Sequence, residues 1–322
     1  MKRILSGIQP SGVLHIGNYF GMMEKMINHQ ASADLFCFIA NYHAMTTVQD
    51  GPTLSKNTFD TAATFLALGI DPEKSTFWVQ SDVPEVQDLT WALSTITPMG
   101  LLERCHSYKD KTAKGIAANH ALFAYPVLMA ADILIFQSNV VPVGRDQKQH
   151  LEVARDLAIK FNFQFGDTFT VPEPEIDDNV AVIPGVDGQK MSKSYGNTID
   201  IFTTKEALRQ TVMTIKTDAA RVEDPKDPDK CNLYAIYKLF VDENGRQEMR
   251  ARYQNGGLKY SDVKKELTEL IWQKFEPNRA RYEELSRNPD EIRRILKMGA
   301  EKARAVAKKT IGEVRGRMGL EY

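Results

Sequence analysis

The chain has 322 residues, 43% of them apolar and 26% charged, a composition of a soluble globular protein with room for a sizeable α/β core and a second unit. Three cysteines, Cys37, Cys105 and Cys231, match neither a zinc site nor a disulfide framework, so a reducing, cytoplasmic setting is expected. The opening Met1-Lys2-Arg3-Ile4-Leu5-Ser6-Gly7 lacks the apolar run of a signal peptide, and no stretch reaches membrane-span length, so no membrane partner is expected. The net charge of -1 hides an asymmetry: residues 1–185 hold 13 Lys/Arg against 20 Asp/Glu, and residues 186–322 hold 28 against 22. A nucleic-acid backbone would be sought on the basic half, although charge alone does not separate that from a solvated helical surface.

Ile4-Leu5 before Ser6-Gly7 predicts a short buried strand, Gln9-Pro10-Ser11-Gly12 a turn, and Leu14 to Met23 the opening turns of a helix. Strand, glycine-containing turn and helix form the first unit of a nucleotide-binding α/β fold. There the ligand lies beyond the carboxyl ends of the strands, against helix N–H groups that suit phosphate. His15 is placed to donate to a phosphoryl oxygen, and Gly17 has no side chain to keep an adenine or ribose away. Alone, His-x-Gly is a weak signal that a surface histidine would satisfy. Leu35 to Ala40 is a continuous apolar run of strand length, Thr53 to Gly69 predicts a helix with Gly69 as its stop, and Thr76 to Val79 gives a third strand. Two successive βαβ units place the chain in the α/β class. Asn41-Tyr42-His43-Ala44 ends the second strand, and His43 by itself reads as structural.

His106 to Lys114 reads as a cationic surface loop. Ala121 to Phe136 is a strongly apolar helical pattern interrupted by Pro126, and Asp132 in its middle needs a partner, because an unpaired buried charge is expensive. Val140 to His150 reads as strand, turn and helix again. Next comes Lys190-Met191-Ser192-Lys193-Ser194, set between Gly185-Val186-Asp187-Gly188 and Tyr195-Gly196. Two ammonium groups three positions apart, two hydroxyls and flanking glycines make a mobile cationic loop suited to a polyphosphate. Chance would place this pentapeptide in a chain of this length on the order of once in 10,000 sequences. Beyond it, Thr203 to Thr217, Leu233 to Val241, Ser261 to Phe275 and Asp290 to Met318 are helical patterns, the last with nine Lys/Arg against four Asp/Glu.

Lys190 to Ser194 resembles the K-M-S-K-S signature of class I aminoacyl-tRNA synthetases. Pro10 to Tyr19 resembles their H-I-G-H signature in the variant with asparagine, Asn18, at the fourth position. Preceded by Gly7-Ile8-Gln9, that variant looks like the tryptophanyl-tRNA synthetase family in particular, over essentially the whole chain. The resemblance implies a Rossmann-like, doubly wound parallel sheet over residues 1–202. It implies an all-helical tRNA- and anticodon-binding region over 203–322, whose last helix has room to pack back on the first domain. It further implies ATP with Mg2+, L-tryptophan and tRNA(Trp) as substrates, and a homodimer.

Carried over residue by residue, the resemblance makes His15, Asn18, Lys190 and Lys193 the catalytic set, orienting the triphosphate and neutralising its charge. Gln9, Pro10, Ser11, Gly17, Gly144, Arg145, Asp146, Val182, Ile183, Met191, Ser192 and Ser194 join them around ATP. Tyr125 to Leu134 resembles the tryptophan-pocket helix, with Asp132 accepting the indole N–H and Met129 packing on the ring. Tyr125, Gln147, Gly7, Val141 and Val143 complete that pocket. An acceptor-only carboxylate complements indole, which offers one donor and no acceptor. Lys109 and Lys111 are placed either to help bind pyrophosphate or simply in solvent. Some relatives hold an iron–sulfur cluster on four cysteines in the helical region; only Cys231 is available here, so none is expected. A tyrosyl relative, a non-catalytic paralogue that binds RNA or senses tryptophan, and a plain nucleotidyltransferase remain as alternatives, the last leaving the Lys-Met-Ser-Lys-Ser loop unexplained.

Overall fold

Five parallel strands form one sheet in the order β3-β2-β1-β4-β5, with β1 at Arg3–Ile8, β2 at Asp34–Ile39, β3 at Ser75–Val79, β4 at Val140–Pro142 and β5 at Glu173–Glu175. The structure is a computed structural model that describes residues 1–105, 119–144, 147–175 and 183–321. In register, Arg3 lies beside Asp34 and Ile8 beside Ile39, while Leu35 lies beside Ser75 and Ile39 beside Val79. The continuous apolar runs follow from burial on both faces. Ile4, Leu35, Cys37, Ile39 and Phe77 pack into one layer, and Leu5, Phe36, Phe38, Trp78 and Val141 into the other. The β5 segment Glu-Pro-Glu was not anticipated. It carries no apolar run, and its proline is tolerated because it pairs on one side only, with β4.

The first helical stretch, α1, opens at Ile16–Asn18, widens into a π-helical segment at Tyr19–Met23 and continues as Glu24–His29. A short α2 at Asn41–Ala44 follows β2 directly. Helix α3, Gly51–Leu68, has Asp50 accepting from the Thr53 N–H at its start and Gly69 at φ 113° at its end, where a left-handed residue favours glycine. Helices α4 (Glu85–Ser94) and α5 (Met99–Glu103) precede α6, His120–Leu134. Helix α6 runs through Pro126, the residue that interrupts its apolar pattern. Burial of Val127, Ala130, Ala131, Ile133 and Leu134 outweighs the one backbone hydrogen bond that proline removes.

Helix α7, Lys148–Phe165, follows β4, and α8 (Lys205–Met213), α9 (Asn232–Tyr237), α10 (Glu243–Gln254), α11 (Tyr260–Arg287) and α12 (Pro289–Arg317) complete the chain. Helix α11 runs on through Pro277, well past Phe275. Helix α12 lies against β3: a Cβ on Gly299 would stand 1.8 Å from the Phe77 carbonyl oxygen, so only glycine permits the approach. Its Ala300, Ala303, Ala307, Ile311 and Val314 join the same buried layer as Trp78. Arg304 pairs with Glu85 of α4 at 2.8 Å, and Arg315 with Asp88 at 3.1 Å. No helix among the described residues is long and apolar enough to cross a membrane.

Candidate active site

In the strand order, β1 and β4 are neighbours whose connections leave in opposite directions, and in doubly wound sheets ligands bind beyond the carboxyl ends of such strands. A cavity of about 810 Å³ lies there. From β1 and the turn after it come Gly7, Gln9, His15, Gly17 and Asn18; from α6 come Tyr125, Met129 and Asp132. The β4 end supplies Val141, Val143, Gly144 and Gln147, and the later loop supplies Ile183, Lys190 and Met191. The structure therefore gathers fifteen of the expected site residues around one space. Pro10, Ser11, Ser192, Lys193 and Ser194 do not line it. Arg145, Asp146, Val182, Lys109 and Lys111 lie outside the described residues.

Gly7 is required by a close approach: a Cβ there would stand 2.6 Å from the Phe38 ring. Gly17 answers first to the protein itself, since a Cβ would stand 2.9 Å from His15 Nδ1 and 3.3 Å from Met191 Cβ. The two signature segments are stitched together by the backbone. The Ile16 N–H donates to the Ile199 carbonyl at 2.9 Å, and the Ile201 N–H to the Leu14 carbonyl at 3.2 Å. Across this seam the Lys193 ammonium donates to the Gly12 carbonyl at 2.7 Å.

The base of the Lys-Met-Ser-Lys-Ser loop is held by two asparagines that carry no signal in the sequence. Buried Asn197 accepts from the Ser192 N–H at 2.8 Å and donates to Asp187 at 2.7 Å and to the Lys190 carbonyl at 3.1 Å. Asn232 donates to the Gly185 carbonyl at 2.9 Å. Lys193–Tyr195 forms a single 3-10 turn closed by Gly196 at φ 62°.

At the other motif, Asn18 Oδ1 accepts from the backbone N–H of His15 at 3.1 Å, which spends the oxygen on the helix start and leaves the amide NH2 without a protein partner among the described residues. His15 is 5% exposed and its Nδ1 is buried without a partner among the described residues. Burial, with a smaller contribution from the Lys193 charge, lowers its pKa to about 4. The imidazole is therefore neutral near neutral pH. The expected consequence is that the His15 ring resonances hold still between about pH 5.5 and 7, below the titration of Lys193, in an NMR titration of the free protein. A midpoint inside that window would show a ring that charges. Lys193 is lowered to about 8 by burial, Asp200 opposing. Asp200 itself is raised by burial, with Thr198 and Lys193 opposing.

Asp132 is 2% exposed and its carboxylate is hydrogen-bonded, by groups the sequence did not single out for it. His43 Nε2 lies 2.7 Å from Oδ2, and Gln80 Nε2 lies 2.8 Å from each carboxylate oxygen. By sequence alone His43 reads as structural, and nothing in composition or periodicity marks Gln80. Their shared signal was position: each follows the last residues of a parallel strand, where such sheets place ligands. Tyr125 packs near His43 and hydrogen-bonds His150, whose Nδ1 lies 3.0 Å from Gln147 Oε1. Truncating one partner of such a buried network typically costs about 1–3 kcal/mol.

A family model described as tRNA synthetases class I (W and Y) matches residues 1–276. The tryptophan–tRNA ligase of Campylobacter jejuni is 53% identical over 318 residues, covering 99% of this chain and 100% of that one. The corresponding Fusobacterium nucleatum ligase is 52% identical over 321 residues, covering 99% and 98%. The crystal structure of the Campylobacter jejuni tryptophanyl-tRNA synthetase complexed with ADP and tryptophan is similar at a TM-score of 0.92 and 53% identity, over 98% of this chain and 99% of that chain. With both signature loops on one cavity and this degree of identity across nearly the whole length, the chain belongs to the class I tRNA synthetases of the tryptophan and tyrosine family, on its tryptophanyl branch.

Proposed function

We propose that the cavity carries out tryptophan activation followed by transfer to tRNA(Trp). The tryptophan carboxylate attacks the α-phosphate of ATP, the bond to the β-phosphate breaks and pyrophosphate leaves. The terminal adenosine hydroxyl of the tRNA then displaces AMP. No side-chain nucleophile is needed, so the residues work by positioning and by neutralising charge. The observation that carries the reading is a buried, acceptor-only carboxylate, Asp132, on the wall of a cavity that also carries His15 and Lys190. Met129 packs on the indole, and Tyr125, Gln147, Gly7, Val141 and Val143 surround it. Gln9, Gly17, Gly144, Asp146 and the backbone at Val182 and Ile183 hold adenosine. Asn18, Lys190 and Lys193 meet the phosphates, and Mg2+ enters with ATP as part of the substrate. Tyrosine would bring a phenol that both donates and accepts, for which Met129 beside Asp132 is a poorer match. Charging of tRNA(Trp) and tRNA(Tyr) transcripts with labelled tryptophan or tyrosine tests this. Only tryptophan on tRNA(Trp) is expected to form ester, and tyrosyl product would overturn the assignment.

In this reading residues 1–202 are the catalytic domain and the helices from 203 onward bind tRNA; family membership is also the ground for expecting a cytoplasmic homodimer. The helical region divides its basic residues between two jobs. Arg304 is engaged with Glu85, whereas Arg294, Lys308 and Lys309 are exposed. Reversing the charge of those three together is expected to raise the KM for tRNA severalfold, more steeply at low salt, with pyrophosphate exchange nearly intact. Arg304→Glu is expected to weaken both activities, because it sets two carboxylates against each other between α12 and α4. Steady-state charging and exchange on both variants check this.

A further inference from the structure

The buried contact between Gln80 and Asp132 goes beyond the pocket contacts assigned so far, and it rests on the reading of the cavity as a tryptophan site. Gln80 follows the last residue of β3 and is 1% exposed. Its side-chain oxygen accepts from the backbone N–H of Tyr42 at 3.0 Å, which leaves the NH2 end for Asp132. A flipped amide would set its NH2 against an N–H and its oxygen against a carboxylate, so only one orientation is stable. The two strand ends that present Tyr42 and Gln80 are themselves locked. Asn41 Nδ2 donates to Ser81 Oγ at 2.8 Å, and the Ser81 N–H donates back to Asn41 Oδ1 at 3.1 Å.

Gln80 Nε2 is equidistant, at 2.8 Å, from both oxygens of Asp132, while His43 Nε2 reaches Oδ2 alone at 2.7 Å. The straddling amide thus anchors the end of the carboxylate, and the histidine on Oδ2 sets its rotation about the Cβ–Cγ bond. The one-sided histidine leaves Oδ1 the oxygen with spare acceptor capacity. We infer that Gln80 is a positioning residue that, with His43, holds the Asp132 carboxylate where Oδ1 meets an indole N–H, and so supports the preference of the site for a ring bearing one donor and no acceptor.

The test compares tryptophan with β-(benzothiophen-3-yl)alanine, a close steric match in which sulfur replaces the N–H. Amino-acid-dependent ATP–pyrophosphate exchange is measured on the wild-type protein and on Gln80→Met, Gln80→Glu and Asp132→Asn. Both Gln80 variants are expected to lose about tenfold to hundredfold in kcat/KM for tryptophan, mostly through KM, with the analogue and the KM for ATP nearly unchanged. Gln80→Glu should fall further than Gln80→Met, because it turns a donor into an acceptor facing a carboxylate. The tryptophan-to-analogue ratio is taken within one preparation, so a partly unfolded fraction cancels from it. Equal losses on both substrates would reduce Gln80 to a packing role and overturn the inference, as would an unchanged ratio. If Asp132→Asn collapses the ratio and neither Gln80 variant does, only the inference fails. If Asp132→Asn leaves the ratio intact, the tryptophan-pocket reading itself fails.

Discussion

Lys193→Ala is expected to lower kcat for adenylate formation about 10²- to 10³-fold while raising the KM for ATP far less. The Lys193 ammonium donates to the Gly12 carbonyl at 2.7 Å, between the two signature segments and beside neutral His15. A triphosphate arriving at that seam offers a far better acceptor than one carbonyl. A grip that strengthens as charge builds on the leaving pyrophosphate acts on kcat rather than on binding. Transfer from preformed adenylate to tRNA takes place after pyrophosphate has left and should be nearly unaffected. Single-turnover measurement of the two half-reactions separates them. Equal slowing of both would mean that the tie to Gly12 orders the whole site.

The same lysine sets the direction of a pH effect. Burial lowers Lys193 to about 8, so in the free protein it is charged below that pH and loses its proton as pH rises through it. Accordingly, kcat/KM for ATP, which reports on the free protein, should fall above about pH 8. Bound triphosphate favours the charged form, so the fall in kcat should lie at higher pH.

Asp132→Asn is expected to cost roughly 10- to 1,000-fold in kcat/KM for tryptophan with ATP use largely preserved. The donors around Asp132 decide which way the introduced amide turns. His43 and Gln80 both donate to Oδ2 and Gln80 alone to Oδ1, so the amide oxygen is favoured at the Oδ2 position and the NH2 at Oδ1, donor against indole donor. An unchanged kcat/KM for tryptophan in a folded variant would remove Asp132 from the pocket.

What the sequence revealed about this site, and what it hid, follow from how far apart the partners lie in the chain. The His15 and Lys190–Ser194 signatures were legible because each is contiguous and chemically unusual. Their meeting across Leu14, Ile16, Ile199 and Ile201 was implied only by resemblance. Asp132 stood out as a charge in an apolar helix, yet its partners His43 and Gln80 lie 89 and 52 residues away and could not be paired with it from periodicity. Likewise β1, β2, β3 and α3 announced themselves through apolar runs and a glycine stop. Strand β5 is Glu-Pro-Glu at a sheet edge, and α10 buries only Met249 and Tyr253 behind an Asn-Gly that reads as a turn. The sequence of α12 shows its basic face, and its packing back on the first domain followed only from resemblance. Its stripe of Gly299, Ala300, Ala303 and Ala307, which seats it on β3, is too small in side-chain volume to dominate a hydrophobic pattern.

The most direct measurement is ATP–pyrophosphate exchange by the purified protein, without tRNA, run separately with each of the twenty amino acids. Exchange with tryptophan alone, lost in Asp132→Asn, is the predicted result. Exchange driven best by tyrosine, or by no amino acid, would contradict the account.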